Sequence, residues 1–132
     1  MTTYTNRIGY ADISDYGAIA DDVRDNSSAI QAALDTGIPV YVPGTTSSFN
    51  FATRLTIPSG AVFFGNGNAQ SSQTGLPSTL KYTGTGTAMG VNLGGSTTSM
   101  NSHIRGLNIT TTQTTGGRWA IELNSATNVF IA

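Results

Sequence analysis

No cysteine occurs in the 132 residues, so neither a disulfide nor a thiolate metal site holds this chain together. Charge is also scarce: Asp, Glu, Lys and Arg make up 10% of the chain, against roughly 25% in an average globular domain. Lys and Arg total six against seven Asp and Glu, a net charge of −1 with no basic run to neutralise phosphates, so no nucleic-acid partner is expected. No stretch approaches the roughly 20 apolar residues of a membrane-spanning helix, and no membrane span is expected. The N-terminus has neither a charged start followed by an apolar run nor a small-residue cleavage site, so no export signal is expected either. Carboxylates are missing from most of the chain as well. Asp12, Asp15, Asp21, Asp22, Asp25 and Asp35 all precede Val40, and only Glu122 follows.

What is present is a Thr-, Ser-, Gly- and Asn-rich chain whose apolar residues come in short clusters, the balance of a β-rich single domain rather than of disorder. Residues 1–11 read as a polar N-terminal arm. Asp12 to Tyr16 alternates and reads as a first strand. A short helix is expected from Asn26 to Asp35: Asp25 or Asn26 can accept from the free amides of the first turn. Ala29, Ile30, Ala33 and Leu34 form its apolar stripe, and Gly37 ends it. A helix this short is not stable alone and must lie on something.

Short strands follow: Val40-Tyr41-Val42, Phe49 to Phe51, Leu55-Thr56-Ile57 and Val62-Phe63-Phe64. The Gly/Asn/Gln/Ser loop from Asn66 to Pro77 interrupts them, long enough to be functional or mobile. Strands resume at Leu80 to Tyr82, Val91 to Leu93, Ile104 to Ile109, Trp119 to Leu123 and Val129 to Ile131. Ile104 and Val129 begin similar triplets 25 residues apart, and Val91 and Ile121 begin others 30 apart, within the repeat lengths of solenoids. An antiparallel sandwich or jelly roll fits the same number of strands.

The run Asp15-Tyr16-Gly17-Ala18, Asp21, Asp25, Ala29-Ile30-Gln31, Val40-Tyr41-Val42-Pro43-Gly44, Leu55-Thr56-Ile57-Pro58-Ser59-Gly60 and Gly65-Asn66-Gly67 resembles the opening segment of the pectate-lyase-like superfamily. Phage tailspikes and capsule depolymerases share that segment. Ala20 and Asp22 stand where the family usually has glycines, and Arg24 where Thr is common, so the turn before the helix is expected to be built differently. The resemblance implies a mainly β protein, a right-handed parallel β-helix whose N-terminal end is closed by the short α-helix. Residues 12–132 then comprise the capping helix and the first coils. It further implies a tailspike-like virion protein, extracellular after host lysis, for attachment to bacterial surface polysaccharide. A homotrimer and contacts to other virion proteins through the arm are expected with it. A non-enzymatic virion scaffold or decoration protein is the alternative, and a secreted polysaccharide lyase or hydrolase a distant one.

The chemical inventory assigns no catalytic, cofactor-binding or metal residue. Glycoside hydrolysis needs two carboxylates about 5 Å or about 6.5–9.5 Å apart, and Glu122 has no partner beyond the opening segment. His103, Arg105, Lys81 and Arg118 are the groups a lyase would recruit, but they form no motif and read as scattered surface charges. Asp21, Asp22 and Asp25 suit calcium, yet acids before a helix are favoured by its dipole anyway. Trp119 suits sugar stacking, but shares strand parity with Ile121 and Leu123 and reads as core, with Ala120 and Glu122 outward. Gly65, Gly67 and Gly84 do not lead from a strand into a long helix, so no phosphate loop is expected. Asn66, Asn68, Asn108, Asn124 and Asn128 read as turn residues or stacked amides. The chain stops at Ala132 in mid-pattern, so either a continuation or burial of this end in an oligomer is expected.

Overall fold

The computed structural model describes residues 9–67, 75–91, 99–100, 102–112, 121–123, 126–127 and 130–131. After β1 (Ala11–Asp12) the chain does not continue as the strand that the alternation of 12–16 predicts. The Asp12 carboxylate accepts from the Ser14 N–H at 2.9 Å, and this local bond turns Ile13–Tyr16 into a 3₁₀ helix. Gly17, at φ 98°, ends it.

Helix α1 (Ser27–Leu34) lies within the expected span, with Asn26 and Asp35 as its flanking residues. Ile30, Ala33 and Leu34 are buried, and the helix packs on the 3₁₀ helix and on β4 (Leu55–Ile57). Its first amide is capped from outside: the Asp25 carboxylate accepts from Ser27 N–H at 3.0 Å. Asn26 does not cap the helix with its side chain, because that amide bonds the Ile19 and Arg24 backbone and Asn50 O of β3 instead.

The remaining strands are β2 (Val40–Val42), β3 (Phe49–Phe51), β5 (Val62–Gly65), β6 (Thr79–Tyr82), β7 (Met89–Val91), β8 (Ser99–Met100), β9 (His103–Arg105), β10 (Asn108–Thr111), β11 (Ile121–Leu123), β12 (Ala126–Thr127) and β13 (Phe130–Ile131). Every pairing among the described strands is parallel, which removes the antiparallel sandwich. The sheets run β1-β2-β5-β9-β13, β10-β6-β3, β11-β7-β4 and β12-β8. From β2 onward the chain therefore visits the first, second and third sheets in turn, with the fourth added in later passes, before returning to the first.

Registers place like on like. Val40 pairs Phe63 and Phe63 pairs Ile104; Phe49 pairs Leu80; Leu55 pairs Met89. These side chains point inward and are almost wholly buried, and Phe51 stacks on Tyr82 with ring centroids 5.1 Å apart. Ile104 pairs Ile131 and Ile121 pairs Met89, so each register lies two residues from the spacing read off the triplets. A two-residue offset keeps the same faces inward, and for that reason the pattern cannot detect it. The expected strand from Ile104 to Ile109 breaks at Gly106, φ 66°, into β9 and β10 of different sheets.

Gly106 belongs to a crowded corner. Gly67 N–H donates to its carbonyl at 2.6 Å, and a Cβ on Gly65 would stand 2.8 Å from that carbonyl oxygen and 2.5 Å from Ser78 Cβ. Ser78, fully buried, ties the corner together: its hydroxyl donates to Val42 O and accepts from Asn66 N–H, both at 2.7 Å.

Strands β3 and β4 end their sheets, so each has an edge of backbone groups with no strand partner among the described residues. Residues 22–31 supply the bonds. Asp22 N–H donates to Ser48 O, and Asn26 N–H and Nδ2 both donate to Asn50 O. Asp25 and the Ser27 hydroxyl accept from Ala52 N–H, and that hydroxyl also accepts from Thr53 N–H. Gln31 bonds Thr56 in both directions, its Oε1 accepting from N–H at 2.9 Å and its Nε2 donating to C=O at 3.0 Å.

Three substitutions check this account. Gly65→Ala forces a Cβ into backbone and should lower unfolding free energy by about 3 kcal/mol, whereas Gly75→Ala, with open space around it, should change it by less than about 0.5 kcal/mol. Asn26→Ala removes a buried side chain that bonds the Ile19 backbone in both directions and supplies one of the two bonds to Asn50 O, and should cost about 2 kcal/mol. Chemical denaturation measures all three; equal stability of the two glycine variants refutes the crowded corner.

Candidate functional site

Because side chains alternate along a strand, the inward Val40, Phe63 and Ile104 leave Tyr41, Phe64 and Arg105 on the outer face of the five-stranded sheet. Parallel register lines them up: Tyr41 pairs Phe64, and Phe64 pairs Arg105. The Tyr41 and Phe64 rings lie 5.3 Å apart at 42°, and Tyr10, just before β1, stands edge-on to both at 5.5 and 6.1 Å. The Arg105 guanidinium sits 5.6 Å from the Phe64 ring centroid, a cation–π contact worth roughly 0.5–1 kcal/mol at an exposed site. The three rings are half-buried and Arg105 is exposed.

This row has polar groups at both ends. Tyr41 OH donates to Asn66 Oδ1 at 2.9 Å, and His103 shares the outer face of β9 with Arg105. No carboxylate among the described residues forms an ion pair with Arg105. The arrangement offers ring surface, hydroxyl and amide hydrogen bonds, and a cation, which is the chemistry of binding. Parity suits an outward Tyr41 between Val40 and Val42 and an outward Arg105 beside Ile104, but in Val62-Phe63-Phe64 it does not decide which Phe faces out, and only the register brings the three together.

The acidic turn is occupied by its own backbone. Asp22 takes φ 61°, a left-handed conformation natural to glycine and tolerated by Asp, at one of the positions where the family usually has glycine. Its carboxylate accepts from Ser48 Oγ at 2.7 Å and Ser48 N–H at 2.8 Å, and these bonds hold its pKa below the ordinary Asp range. Asp25 is lowered first by the Ser27 hydroxyl, then by the Ser27 and Ala52 amides. Asp21 is lowered by the Arg24 and Val23 amides at 2.8 and 3.0 Å. Its 4.0 Å contact with the Arg24 side chain is exposed and adds little. Among the described residues no three acids or histidines gather as a metal-binding group.

Of the basic groups weighed from sequence, His103 and Arg105 share β9, while Lys81 lies on β6 in the second sheet, where its charge helps to lower Asp22. Glu122 lies on β11 in the third sheet, its backbone in register with Gly90. Asn108 Nδ2 reaches Thr79 Oγ1 at 3.3 Å across paired strands. Arg118, Trp119, Ala120, Asn68, Asn124 and Asn128 fall outside the described residues. An open cleft of about 350 Å³ lies beside α1, bordered by Ser28, Gln31, Asp35 and Arg54.

All three lowered carboxyls bind fewer protons folded than unfolded, so their stabilisation is fully present above the unfolded Asp value of about 3.9 and is lost as pH falls through the folded values. The thermal midpoint should hold steady from pH 7 to about pH 5 and drop below about pH 4. Asp25→Asn should shallow that drop. At pH 7, Asp22→Gly should melt above Asp22→Ala, since glycine takes φ 61° without strain. The reverse order would show that the turn does not impose this backbone.

No match is found among curated proteins. Among solved structures, the crystal structure of the pre-mature gene product 12 of bacteriophage phi29 is similar at 17% identity with a TM-score of 0.47, over 76% of this chain. The chain spans 17% of that protein's length. Residues 10–132, from Tyr10 of the aromatic row to the end, match the family described as rhamnogalacturonase A/epimerase, pectate lyase-like, and the chain belongs to that family.

Proposed function

We propose that this protein is a tailspike-like virion protein that attaches to a bacterial surface polysaccharide. In this reading the parallel sheets are the flanks of a right-handed parallel β-helix, and α1 closes its N-terminal end. The cyclic order of strands through the sheets supports the solenoid. The bonds from residues 22–31 to the β3 and β4 edges support the closing role of the helix segment. Residues 1–11 are an arm toward other virion proteins, its last two residues already lying against the body, and residues 12–132 are the helix and first coils. The assembly is a homotrimer, exposed outside the host after lysis.

The observation that carries the attachment reading is the outward row Tyr10, Tyr41, Phe64 and Arg105 on a pectate lyase-like scaffold. Hydrolysis would need a carboxylate pair flanking the bond. Here Asp21, Asp22 and Asp25 accept from turn amides and hydroxyls, and the reading for this chain is binding without cleavage.

An array of bacterial surface polysaccharides should give a specific, saturable hit with the purified protein. Incubation with that polysaccharide should release neither reducing ends nor unsaturated uronate. The absence of any hit would refute attachment and favour a scaffold role, and turnover abolished by Glu122→Gln would refute the non-catalytic reading.

A further inference from the structure

We infer that the Tyr41, Phe64 and Arg105 row is a non-catalytic seat for a carboxylate-bearing glycan, an inference that rests on the polysaccharide-attachment reading. The row combines three chemistries in register on one sheet face. At one end Tyr41 OH and the exposed Asn66 amide offer hydroxyl partners; in the middle stand half-exposed rings; at the other end is a guanidinium with no carboxylate partner among the described residues. A sugar presents the complementary set, with apolar C–H faces for the rings and hydroxyls for the phenol and amide. A uronate or sialate carboxyl adds the anion that Arg binds in bidentate geometry. His103 on the same face keeps that end of the row free of acidic side chains at its own position.

An acidic peptide carries the same charge but lacks a mode of binding here. Strand addition needs a sheet edge, and the row lies on a face whose N–H and C=O groups are engaged along β2, β5 and β9. Nor does the row form a groove for a helix, since Tyr10 stands edge-on across Tyr41 and Phe64. The seat lies on β2, β5 and β9 of the first sheet, whereas Glu122 lies on the third.

Titration calorimetry with uronate- and sialate-containing oligosaccharides, before and after carboxyl reduction, tests the seat in the intact protein. The acidic forms should bind about tenfold tighter than their reduced counterparts. Arg105→Gln should erase that preference, and Tyr41→Phe should weaken both forms by a smaller factor, with circular dichroism unchanged in each. A polysaccharide that binds equally well to Arg105→Gln leaves attachment standing and overturns the seat. Binding of no glycan at all overturns both. Displacement by polyglutamate as effective as by the acidic glycan overturns the choice of ligand.

Discussion

Everything in this fold hangs on satisfying two bare strand edges. A parallel stack of strands leaves N–H and C=O groups unpaired wherever it begins, and β3 and β4 are where two sheets begin. A further strand would only pass the problem on. Instead Asn26, Ser27 and Gln31 bring side chains that imitate backbone, with Gln31 both donating to and accepting from Thr56. The apolar stripe of α1 explains why the helix lies down, but these polar residues decide where. Burial of Ile30, Ala33 and Leu34 would tolerate some sliding, whereas a two-way amide bond to one residue does not.

The same economy explains the acidic turn. Acids placed before a helix resemble a metal site in sequence, because both need clustered carboxylates. Here each carboxylate meets amides or hydroxyls at hydrogen-bond distance, and the lowered pKa values record that these contacts favour the charged form. Asp22 does two things at one position. It keeps the left-handed backbone of a glycine and adds a carboxylate that holds Ser48 in place.

Local signals in the sequence suffice where one element answers for itself. The helix follows from the spacing of Ala29, Ile30, Ala33 and Leu34 and from the stop at Gly37, which indeed takes φ 82°. Strands such as Val40–Val42 and Leu55–Ile57 follow from alternation between turns. The 3₁₀ turn at Ile13–Tyr16 was hidden because apolar alternation is blind to the Asp12 side chain that bends it. Register was hidden for a different reason: a shift of two leaves every face unchanged, so Ile104 could be matched to Val129 by pattern when it pairs Ile131. The outward row depends on register, and on which Phe of Val62-Phe63-Phe64 faces out, so it is out of reach of the pattern. Ser99–Met100 and Ala126–Thr127, which pair with each other, carry too few residues for any periodicity.

The order of pairing also bears on how the chain reaches this state. Apart from β1 and β2, no described strand pairs with its neighbour in sequence, so each ladder must wait for a loop to close around strands of other sheets. Closure entropy is lost before contact energy is gained, and folding of such topologies is slow. Phe49, Phe51 and Phe63 are all buried at the end. The unit from β1 through the helix to β2 is the exception, being nearly contiguous, and it meets the first edges of the second and third sheets. Synthesis from the N-terminus delivers that unit first, so the ribosome presents the template before the strands that must settle on it.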